Sequence, residues 1–300
     1  MGIFCIGQSA YDITVPLEED LIENRKYRVT EYQQCGGGPA LNAAYLCALW
    51  GADVQLISRL GDDRYGNKLR AILKEVGVGT DWLIPDRTIE TPYSLIIAGK
   101  KNGKRTIFNF PGVKDQLEYE LPSEHPDVIL SDGHEPEITL RLIEANPQAI
   151  SVVDAGTMRE STMTVAKVSD YLVCSEDFAR QYTGKQIDLE DREGYEEIFR
   201  CIEDINHKYA VITLGERGLL YRSETTGMVC HLPAYPVQAV DTSGAGDIFH
   251  GAFSYGLYKG DTLEENLKRS SMAAAVSVQY LGSQTSIPRL ELVEERLKEY

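Results

Sequence analysis

The sequence has none of the features that would attach a protein to a membrane or to nucleic acid. No apolar run approaches the ~18 residues that span a bilayer. No basic segment precedes the short apolar stretch IFCI at residues 3–6, which argues against a secretory signal. The net charge is −16, whereas a phosphate backbone requires a basic protein face. We therefore expect a cytoplasmic protein with no membrane or nucleic-acid partner, although backbone amides and Mg²⁺ can still bind a nucleotide locally.

Cysteine pairs and the common nucleotide motifs are also missing. The six cysteines form no C-x-x-C pair and have no histidine at a metal-ligand spacing. Buried free thiols are therefore favoured over disulfides or a zinc site. The sequence has no G-x-x-x-x-G-K-[ST] motif and no G-x-G-x-x-G after its first predicted strand. Neither a P-loop NTPase nor a standard dinucleotide dehydrogenase fits.

The composition and the hydrophobic pattern are those of a globular α/β protein. Hydrophobic residues make up 43% of the 300 residues and charged residues 25%. Strand patterns at residues 3–7 and 54–61 alternate with helix patterns at 39–50 and 65–76, and strand patterns return from residue 127. This alternation predicts an α/β fold with a mostly parallel central sheet and helices on both faces.

Two segments interrupt this alternation. Two apolar stretches between Thr91 and Phe110 have strand periodicity, and Asn102-Gly103 between them is a strong hairpin signal. Residues 27–32 also alternate as a strand. We expect a single domain with a small β lid for ligand closure: the domain spans residues 1–300, and the lid is made from insertions at about 12–34 and 91–111. A decorative edge hairpin is equally compatible with the pattern.

The most distinctive stretch runs from Val240 to Phe253, V-D-T-S-G-A-G-D-I-F-H-G-A-F. Gly244, Ala245 and Gly246 let the backbone approach a ligand, and they lead into a helix whose first N–H groups have no intrahelical acceptor. Those groups and the helix dipole favour a phosphate or an oxyanion. A carboxylate beside that anion is suited to take a proton from an attacking hydroxyl, so Asp247 is the candidate base. A glycine-rich turn capped by aspartates is the alternative.

This run resembles the second signature of the ribokinase-like (PfkB) carbohydrate kinase family. The first signature is matched by Gly37-Gly38, Asn42, Ala44, Gly51 and Gly61, and the resemblance extends from Asp12 to Ser286. It implies a ribokinase-like fold and transfer of the γ-phosphate of ATP, with Mg²⁺, to a primary hydroxyl of a monosaccharide. In that reaction Asp247 is the base, and charge on the phosphoryl group is neutralised by the amides of Gly244, Ala245 and Gly246.

The resemblance also implies a sugar site. The family's sugar contacts correspond here to Asp12, Gly37, Gly38 and Asn42. These groups suit hydroxyls because an amide both donates and accepts, whereas a carboxylate accepts. Arg105 and Asn109, on one face of the predicted hairpin, are candidates for substrate selection. A plain helix entry at GGGPALN and a solvated turn aspartate are the alternatives.

A nucleotide site is implied by the stretch T-L-G-E-R-G. Thr213, Gly215 and Gly218 match the family's nucleotide-binding segment, and Ser175 and Gly246 complete the candidate site. A plain strand-to-hairpin turn is the alternative.

Two candidate cation sites remain open. Many relatives have N-x-x-E where this chain has Ser175-Glu176-Asp177-Phe178. The missing glutamate leaves Mg²⁺ binding open, with Glu176 and Asp154 as candidate ligands. Some relatives hold a monovalent cation after the last long helix, and K⁺ is the candidate ion here; the corresponding residues are Asp241, Ser243, Ser277, Tyr280, Gly282 and Ser286.

Three functions are compatible with the resemblance. A sugar kinase is favoured, and a ketose such as fructose is the preferred substrate because of the S-E-D variant. A nucleoside kinase has the same active site in this family. A catalytically silent sugar- or nucleotide-binding regulator is opposed by the intact G-A-G-D. A homodimer through the lid is compatible with the exposed edges of a β ribbon.

Overall fold

Apolar segments of the sequence form most of the strands, and helices connect many of them. The computed structural model describes residues 2–18, 21–99, 105–112 and 120–300, with the backbone alone for residues 84–86 and 105. The strands are β1 (Ile3–Ile6), β2 (Ala10–Leu17), β3 (Gln33–Gly37), β4 (Val54–Gly61), β5 (Leu83–Asp86), β6 (Tyr93–Gly99), β7 (Arg105–Phe110), β8 (Val128–Ser131), β9 (Ile150–Ala155), β10 (Tyr171–Ser175), β11 (Tyr209–Thr213), β12 (Leu219–Arg222) and β13 (Val229–Leu232). The helices are α1 (Pro39–Leu49), α2 (Arg64–Val76), α3 (Pro136–Ala145), α4 (Glu160–Ala166), α5 (Glu176–Thr183), α6 (Arg192–Asn206), α7 (Ala245–Lys259), α8 (Leu263–Ser277) and α9 (Leu290–Leu297). Within the described part of the chain, every helix is too short or too polar to cross a membrane.

The central sheet has nine strands in the order β13-β12-β11-β10-β9-β8-β1-β4-β5. The seven strands from β11 to β5 are parallel, and β12 and β13 add an antiparallel edge. Alternate residues point to opposite faces, so that Cys5 and Val173 pack with α1, α7 and α8, whereas Phe4 packs with α3. The predicted α/β fold, with a mostly parallel sheet and helices on both faces, is confirmed.

A second sheet of four strands, in the order β3-β2-β6-β7, stands beside the first. Strands β2 and β6 are parallel, and β3 and β7 pair antiparallel to them at the two edges. Its register aligns Asp12 with Ser94, and Ser94 with Asn109, so that these three residues share one face. The predicted hairpin turn at Asn102-Gly103 lies outside the described residues.

The predicted strand at residues 27–32 is wrong. The strand that pairs with β2 is instead β3, from Gln33 to Gly37. Val29 and Tyr32 are 43% and 62% exposed, so their alternation faces no core. The QQCGG sequence of β3 has little intrinsic strand preference, and it becomes a strand because β2 supplies its hydrogen-bond partners.

Helix α1 packs closely against helix α7. Gly38, with φ +93°, follows β3 and turns the chain into α1, where Pro39 occupies the first turn. On α7, Gly251 lies against Ala43, and its carbonyl oxygen accepts a hydrogen bond of 3.2 Å from the thiol of Cys47. This contact brings the start of α7 next to Asn42.

Replacing Gly251 with alanine tests that contact. A Cβ atom at position 251 would lie 2.9 Å from the Cα atom of Ala43, and overpacking of this kind costs about 1–3 kcal/mol. We expect Gly251→Ala to lower the midpoint of thermal unfolding followed by circular dichroism. Gly246→Ala, on the same helix, is the matched control, because a Cβ there meets no atom within 4 Å. Equal stability of Gly251→Ala and the wild type would contradict the close α1–α7 contact.

Candidate active site

The first turn of α7 forms the centre of the site. Gly244 precedes the helix with φ +72°, and a Cβ on it would lie 2.8 Å from the Cβ of Ser283, so that both the conformation and the space require glycine. Ala245 begins the helix. Gly246, in contrast, is exposed, and a Cβ on it would meet no atom within 4 Å. The turn therefore presents an open backbone surface at the positive end of a helix.

The carboxylate of Asp247 lies beside this surface and is held from α1. The amide Nδ2 of Asn42 donates a hydrogen bond of 2.7 Å to Oδ2 of Asp247. Asn42 is 1% exposed, and no described group donates a hydrogen bond to its Oδ1. An unsatisfied buried acceptor costs about 1–3 kcal/mol. The Asn42 side chain therefore holds Asp247 through its Nδ2, and its Oδ1 is left to accept a hydrogen bond from a ligand.

The pKa of Asp247 is raised to about 7. Burial is the largest cause, and the nearby charge of Asp154 adds to it, whereas the hydrogen bond from Asn42 and the charge of His250 act in the opposite direction. A carboxyl group with a pKa near neutrality can accept a proton during a reaction at neutral pH.

Two buried aspartates, Asp132 and Asp154, lie near Asp247 at the carboxyl ends of β8 and β9. Asp154 contacts His250, with 3.3 Å between Oδ2 and Nδ1; burial raises the pKa of Asp154, and His250 opposes that rise. Asp132 accepts hydrogen bonds from the amides of Gln8 and His134, at 2.8 and 2.9 Å. Burial alone would raise the pKa of Asp132, but the hydrogen bonds and charge of His134 and the amide of Gln8 lower it overall.

The sequence analysis did not identify Asp132, His134 or His250. The sequence contained a pattern that could have identified two of them. Asp132 ends an apolar run as Asp154 does, and His250 follows Gly246 by one helical turn. Nothing in the sequence indicated that His250 would reach β9.

The candidate sugar residues converge next to Asn42. Oδ2 of Asp12 accepts a hydrogen bond of 3.3 Å from the hydroxyl of Ser283, the residue that also lies against Gly244. A Cβ on Gly37 would lie 2.2 Å from the same carboxylate oxygen, so that a larger residue there would displace the Asp12 carboxylate. Burial raises the pKa of Asp12, and hydrogen bonds from Ser94 and Ser283 oppose that rise.

The remaining sugar candidates are less closely placed. A Cβ on Gly38 would lie 2.5 Å from the carbonyl oxygen of Gln8, so this glycine is required by packing. Asn109 is exposed and lies in the register row of Asp12 and Ser94. The side chain of Arg105 lies outside the described part of the structure. Ser94 and Ser283 were not identified from the sequence.

The candidate nucleotide residues lie at the ends of β10 and β11, along the sheet edge that α7 approaches. The hydroxyl of Ser175 caps α5 by accepting from the amide of Phe178, and it donates to the carbonyl oxygen of Gly156. The hydroxyl of Thr213 donates to the carbonyl oxygen of Cys174, at 3.3 Å.

The two candidate nucleotide glycines differ in their surroundings. Gly218 has a positive φ, and a Cβ there would lie 2.0 Å from the carbonyl oxygen of Leu232. The turn between β11 and β12 therefore accounts for a glycine at this position. Gly215 also has a positive φ, of +60°, but a Cβ there would meet no atom within 4 Å. Gly215 and Gly246 are therefore the glycines of this edge that leave open space.

The carboxylates proposed for Mg²⁺ have partners of their own. Glu176 forms an ion pair of 2.5 Å with Arg217, and Asp154 is paired with His250. Among the described residues, no group of three or more histidine, cysteine, aspartate or glutamate side chains is arranged to hold a metal ion.

The candidate K⁺ residues are partly brought together. Oδ1 of Asp241 accepts hydrogen bonds from the amide and hydroxyl of Ser243, and Oδ2 accepts from the amide of Gly282, at 2.9 Å. The hydroxyls of Ser277 and Ser286 donate to the carbonyl oxygens of Ala274 and Ser283 instead, and Tyr280 is exposed. The segment after α8 is therefore joined to the loop that precedes α7.

The chain is an α/β protein whose open helix end lies beside Asp247 at the carboxyl edge of a mostly parallel sheet, and this is the place where open α/β sheets bind their ligands. The sequence matches the pfkB family carbohydrate kinases over residues 2–290, and the chain belongs to this family. It is therefore a phosphotransferase with an alcohol group as acceptor.

Sequence similarity to individual relatives extends over nearly the whole chain. Identity is 28% over 319 residues to the ribokinase of Bacillus subtilis (strain 168), with 99% of each chain covered. Identity is 27% over 323 residues to the deoxyribokinase of Salmonella typhi, again with 99% of each covered. The crystal structure of the ribokinase from Cryptococcus neoformans var. grubii in complex with ADP is 26% identical and gives a TM-score of 0.78, over 98% of this chain and 99% of that one.

The raised pKa of Asp247 predicts a pH-dependent cost to stability. Its pKa is about 7 in the folded chain against an ordinary value of 3.8, so the stability that its protonated form provides is lost as the pH rises from about 4 through 7. Asp247→Asn removes the charge and keeps an acceptor for Asn42. We expect the variant to exceed the wild type in free energy of unfolding by on the order of 2 kcal/mol at pH 8, and by much less at pH 4.

Urea unfolding at the two pH values measures this difference. An Asp247→Asn variant that is no more stable than the wild type at pH 8 would show that Asp247 titrates normally.

Proposed function

We propose that this enzyme transfers the γ-phosphate of Mg-ATP to a primary hydroxyl of a small sugar, with Asp247 as the base. The observation that carries the proposal is the carboxylate of Asp247, held 2.7 Å from Asn42 beside the open first turn of α7. The sugar hydroxyl would approach Asp247, and the phosphoryl group would lie over Gly246.

The chemistry follows from these two neighbours. A base with a pKa near 7 is half ionised at neutral pH, which suits removal of a proton as the new oxygen–phosphorus bond forms. The amides of Gly244, Ala245 and Gly246 would stabilise the charge on the transferring phosphoryl oxygens. Mg²⁺ would enter with ATP as part of the co-substrate and would offset the negative charge of its phosphates, with few ligands from the protein.

The two substrates would lie on opposite sides of Asp247. Ser175, Thr213 and Gly215 belong to the β10–β11 side of the central sheet, whereas Asp12 and Gly37 belong to the second sheet, beside β1. We assign ATP to the first side, and the ADP complex of the Cryptococcus ribokinase supports a nucleotide in this fold. The sugar is assigned to the second side.

The polar groups around the sugar position suit hydroxyls. Asp12 offers an acceptor next to Ser94, and the unsatisfied Oδ1 of Asn42 would accept from a sugar hydroxyl. Because relatives are named ribokinase and deoxyribokinase, ribose and deoxyribose come first among the candidate sugars. Fructose remains the ketose candidate on the basis of the Ser175-Glu176-Asp177 variant.

We assign a lid function to the second sheet, within one kinase domain over residues 1–300. Closure of the face that carries Asp12 and Asn109 over the sugar would exclude water and limit ATP hydrolysis. The exposed side chains of Ile107, Phe108 and Phe110 on the edge strand β7 suit a homodimer through this sheet. A monovalent cation would lie where Asp241 meets Gly282.

An ADP-release assay with Mg-ATP tests the proposed function. The acceptors are ribose, deoxyribose, fructose, other hexoses and nucleosides, in buffers that contain either K⁺ or Na⁺ at equal ionic strength. We expect release that depends on one sugar class, and Asp247→Asn should lower kcat by at least about 10³-fold because the base is lost.

Sugar-dependent release that Asp247→Asn retains would refute the role of Asp247. Turnover of nucleosides alone would establish a nucleoside kinase, and binding of sugars in a thermal-shift assay without turnover would favour a silent regulator.

Gly246→Ala separates catalysis from stability. Alanine is favoured over glycine in a helix by up to about 1 kcal/mol, and the added Cβ meets no protein atom within 4 Å. The variant should therefore unfold at the same temperature as the wild type or higher. If phosphate lies over this backbone, however, the Cβ would displace it, and kcat/KM for ATP should fall by at least about tenfold. Wild-type kinetics in Gly246→Ala would exclude phosphate from this position.

A further inference from the structure

His250 lies one helical turn after Gly246, on the side of α7 that faces the central sheet. Its side chain is 4% exposed. Nδ1 lies 2.6 Å from the carbonyl oxygen of Gly246 and 3.3 Å from Oδ2 of Asp154, and Nε2 lies 3.1 Å from the carbonyl oxygen of Val173. The ring therefore joins the first turn of α7 to both β9 and β10.

Each ring nitrogen of His250 faces a backbone carbonyl oxygen, that of Gly246 or that of Val173, and a carbonyl oxygen can only accept a hydrogen bond. A neutral imidazole has one N–H group and one lone pair, so a neutral ring would set its lone pair against one of these oxygens. The imidazolium form donates from both nitrogens. A buried cation requires a partner of opposite charge, and Asp154 provides it.

The contact with Gly246 acts on the backbone of the proposed base. The carbonyl oxygen of Gly246 and the N–H of Asp247 belong to the same planar peptide group. A donor that holds this oxygen from behind therefore fixes the direction of the Asp247 N–H at the site. Without this contact, the turn would be more flexible with glycine at position 246 than with any other amino acid there.

The charge of His250 acts on the same group. Asp154 and Asp132 raise the pKa of Asp247, whereas His250 lowers it. Among the described residues, His134 and Arg159 also act on this cluster, and both oppose the raised pKa of Asp154. Without a cation at position 250, the charge of Asp154 would act on Asp247 with less compensation.

We propose that His250 is a positioning residue for phosphoryl transfer: as an imidazolium, it holds the Gly246–Asp247 peptide in place and balances Asp154 behind the base. This inference rests on the proposed function, in which Asp247 removes the proton. His250 has no contact with substrate in this role and acts through Gly246 and Asp247.

Three variants separate its hydrogen bonds from its charge. His250→Phe removes both, and His250→Asn keeps one donor near the position of Nδ1 without the charge. The double variant Asp154→Asn/His250→Asn also removes the negative charge of Asp154, which the imidazolium of His250 would balance. All three are first checked for folding by circular dichroism and thermal unfolding.

We expect His250→Phe to lower kcat by up to about 100-fold, as misplacement of a reacting group does, with KM for ATP and sugar changed by less than about threefold. His250→Asn should recover part of kcat. The acid limb of the kcat/KM profile should move to higher pH in both single variants and return toward the wild-type position in the double variant. A residue that only supported the fold would lower stability without moving this limb.

NMR gives a readout that needs no activity. In ¹⁵N-histidine-labelled enzyme at pH 7, both ring nitrogens of His250 should carry protons, and the carboxyl carbon of Asp247 should titrate at higher pH in His250→Phe than in the wild type. A neutral ring, an unchanged titration of Asp247, or wild-type kcat and pH profile in His250→Phe would each overturn the inference. If the wild type phosphorylates no acceptor, the proposed function fails, and the two NMR measurements still decide whether His250 acts on Asp247.

Discussion

The close contact between α1 and α7 determines where the reactive groups of this enzyme lie. Helix α1 carries Asn42 and helix α7 carries Asp247, and the hydrogen bond between them crosses the contact. The two helices approach because Gly251 leaves room for the backbone of Ala43, which would lie 2.9 Å from any Cβ at that position. The position of the proposed base therefore depends on core packing one helical turn away. A change of a few tenths of an ångström there would be transmitted to the site, since packed interiors do not deform freely.

Three aspartates lie near this contact, Asp132 and Asp154 buried and Asp247 half-buried, and their partners differ in chemistry. Asp132 receives hydrogen bonds from His134 and from a backbone amide, and its pKa is lowered. Asp154 is paired with His250. Asp247 has a neutral amide as its partner and a neighbouring negative charge, and its pKa rises to about 7. The kind of partner, rather than burial alone, thus separates a carboxylate suited to proton transfer from carboxylates that support the surrounding structure.

The two faces of the second sheet have different roles: one packs against α2, and the other carries polar residues toward the site. On one face, the ring of Tyr93 stacks on that of Phe110, with 4.3 Å between their centroids. The ring of Tyr65, on α2, stacks on Tyr11 at 4.6 Å and lies 5.6 Å from Tyr93. The adjacent register row carries Asp12, Ser94 and Asn109. A shift of one residue in strand pairing would exchange the two rows. The aromatic contacts with α2 therefore keep the polar row on the face that adjoins Asn42 and Ser283.

The sequence by itself determined the elements that depend on local signals. The α/β alternation, the start of α1 at Pro39, the bounds of β4, the two strands between Thr91 and Phe110, and the open turn before α7 all follow from periodicity and from glycine and proline positions. Candidate site residues followed from the motifs. Only the tertiary structure decided that β3 pairs with β2, that Asn42 holds Asp247 across 205 residues, and that Ser283 reaches Asp12 across 271. It likewise decided that His250 meets Asp154. Such contacts depend on the packing of elements that are remote in the chain, and no local pattern of side chains specifies which of them will meet.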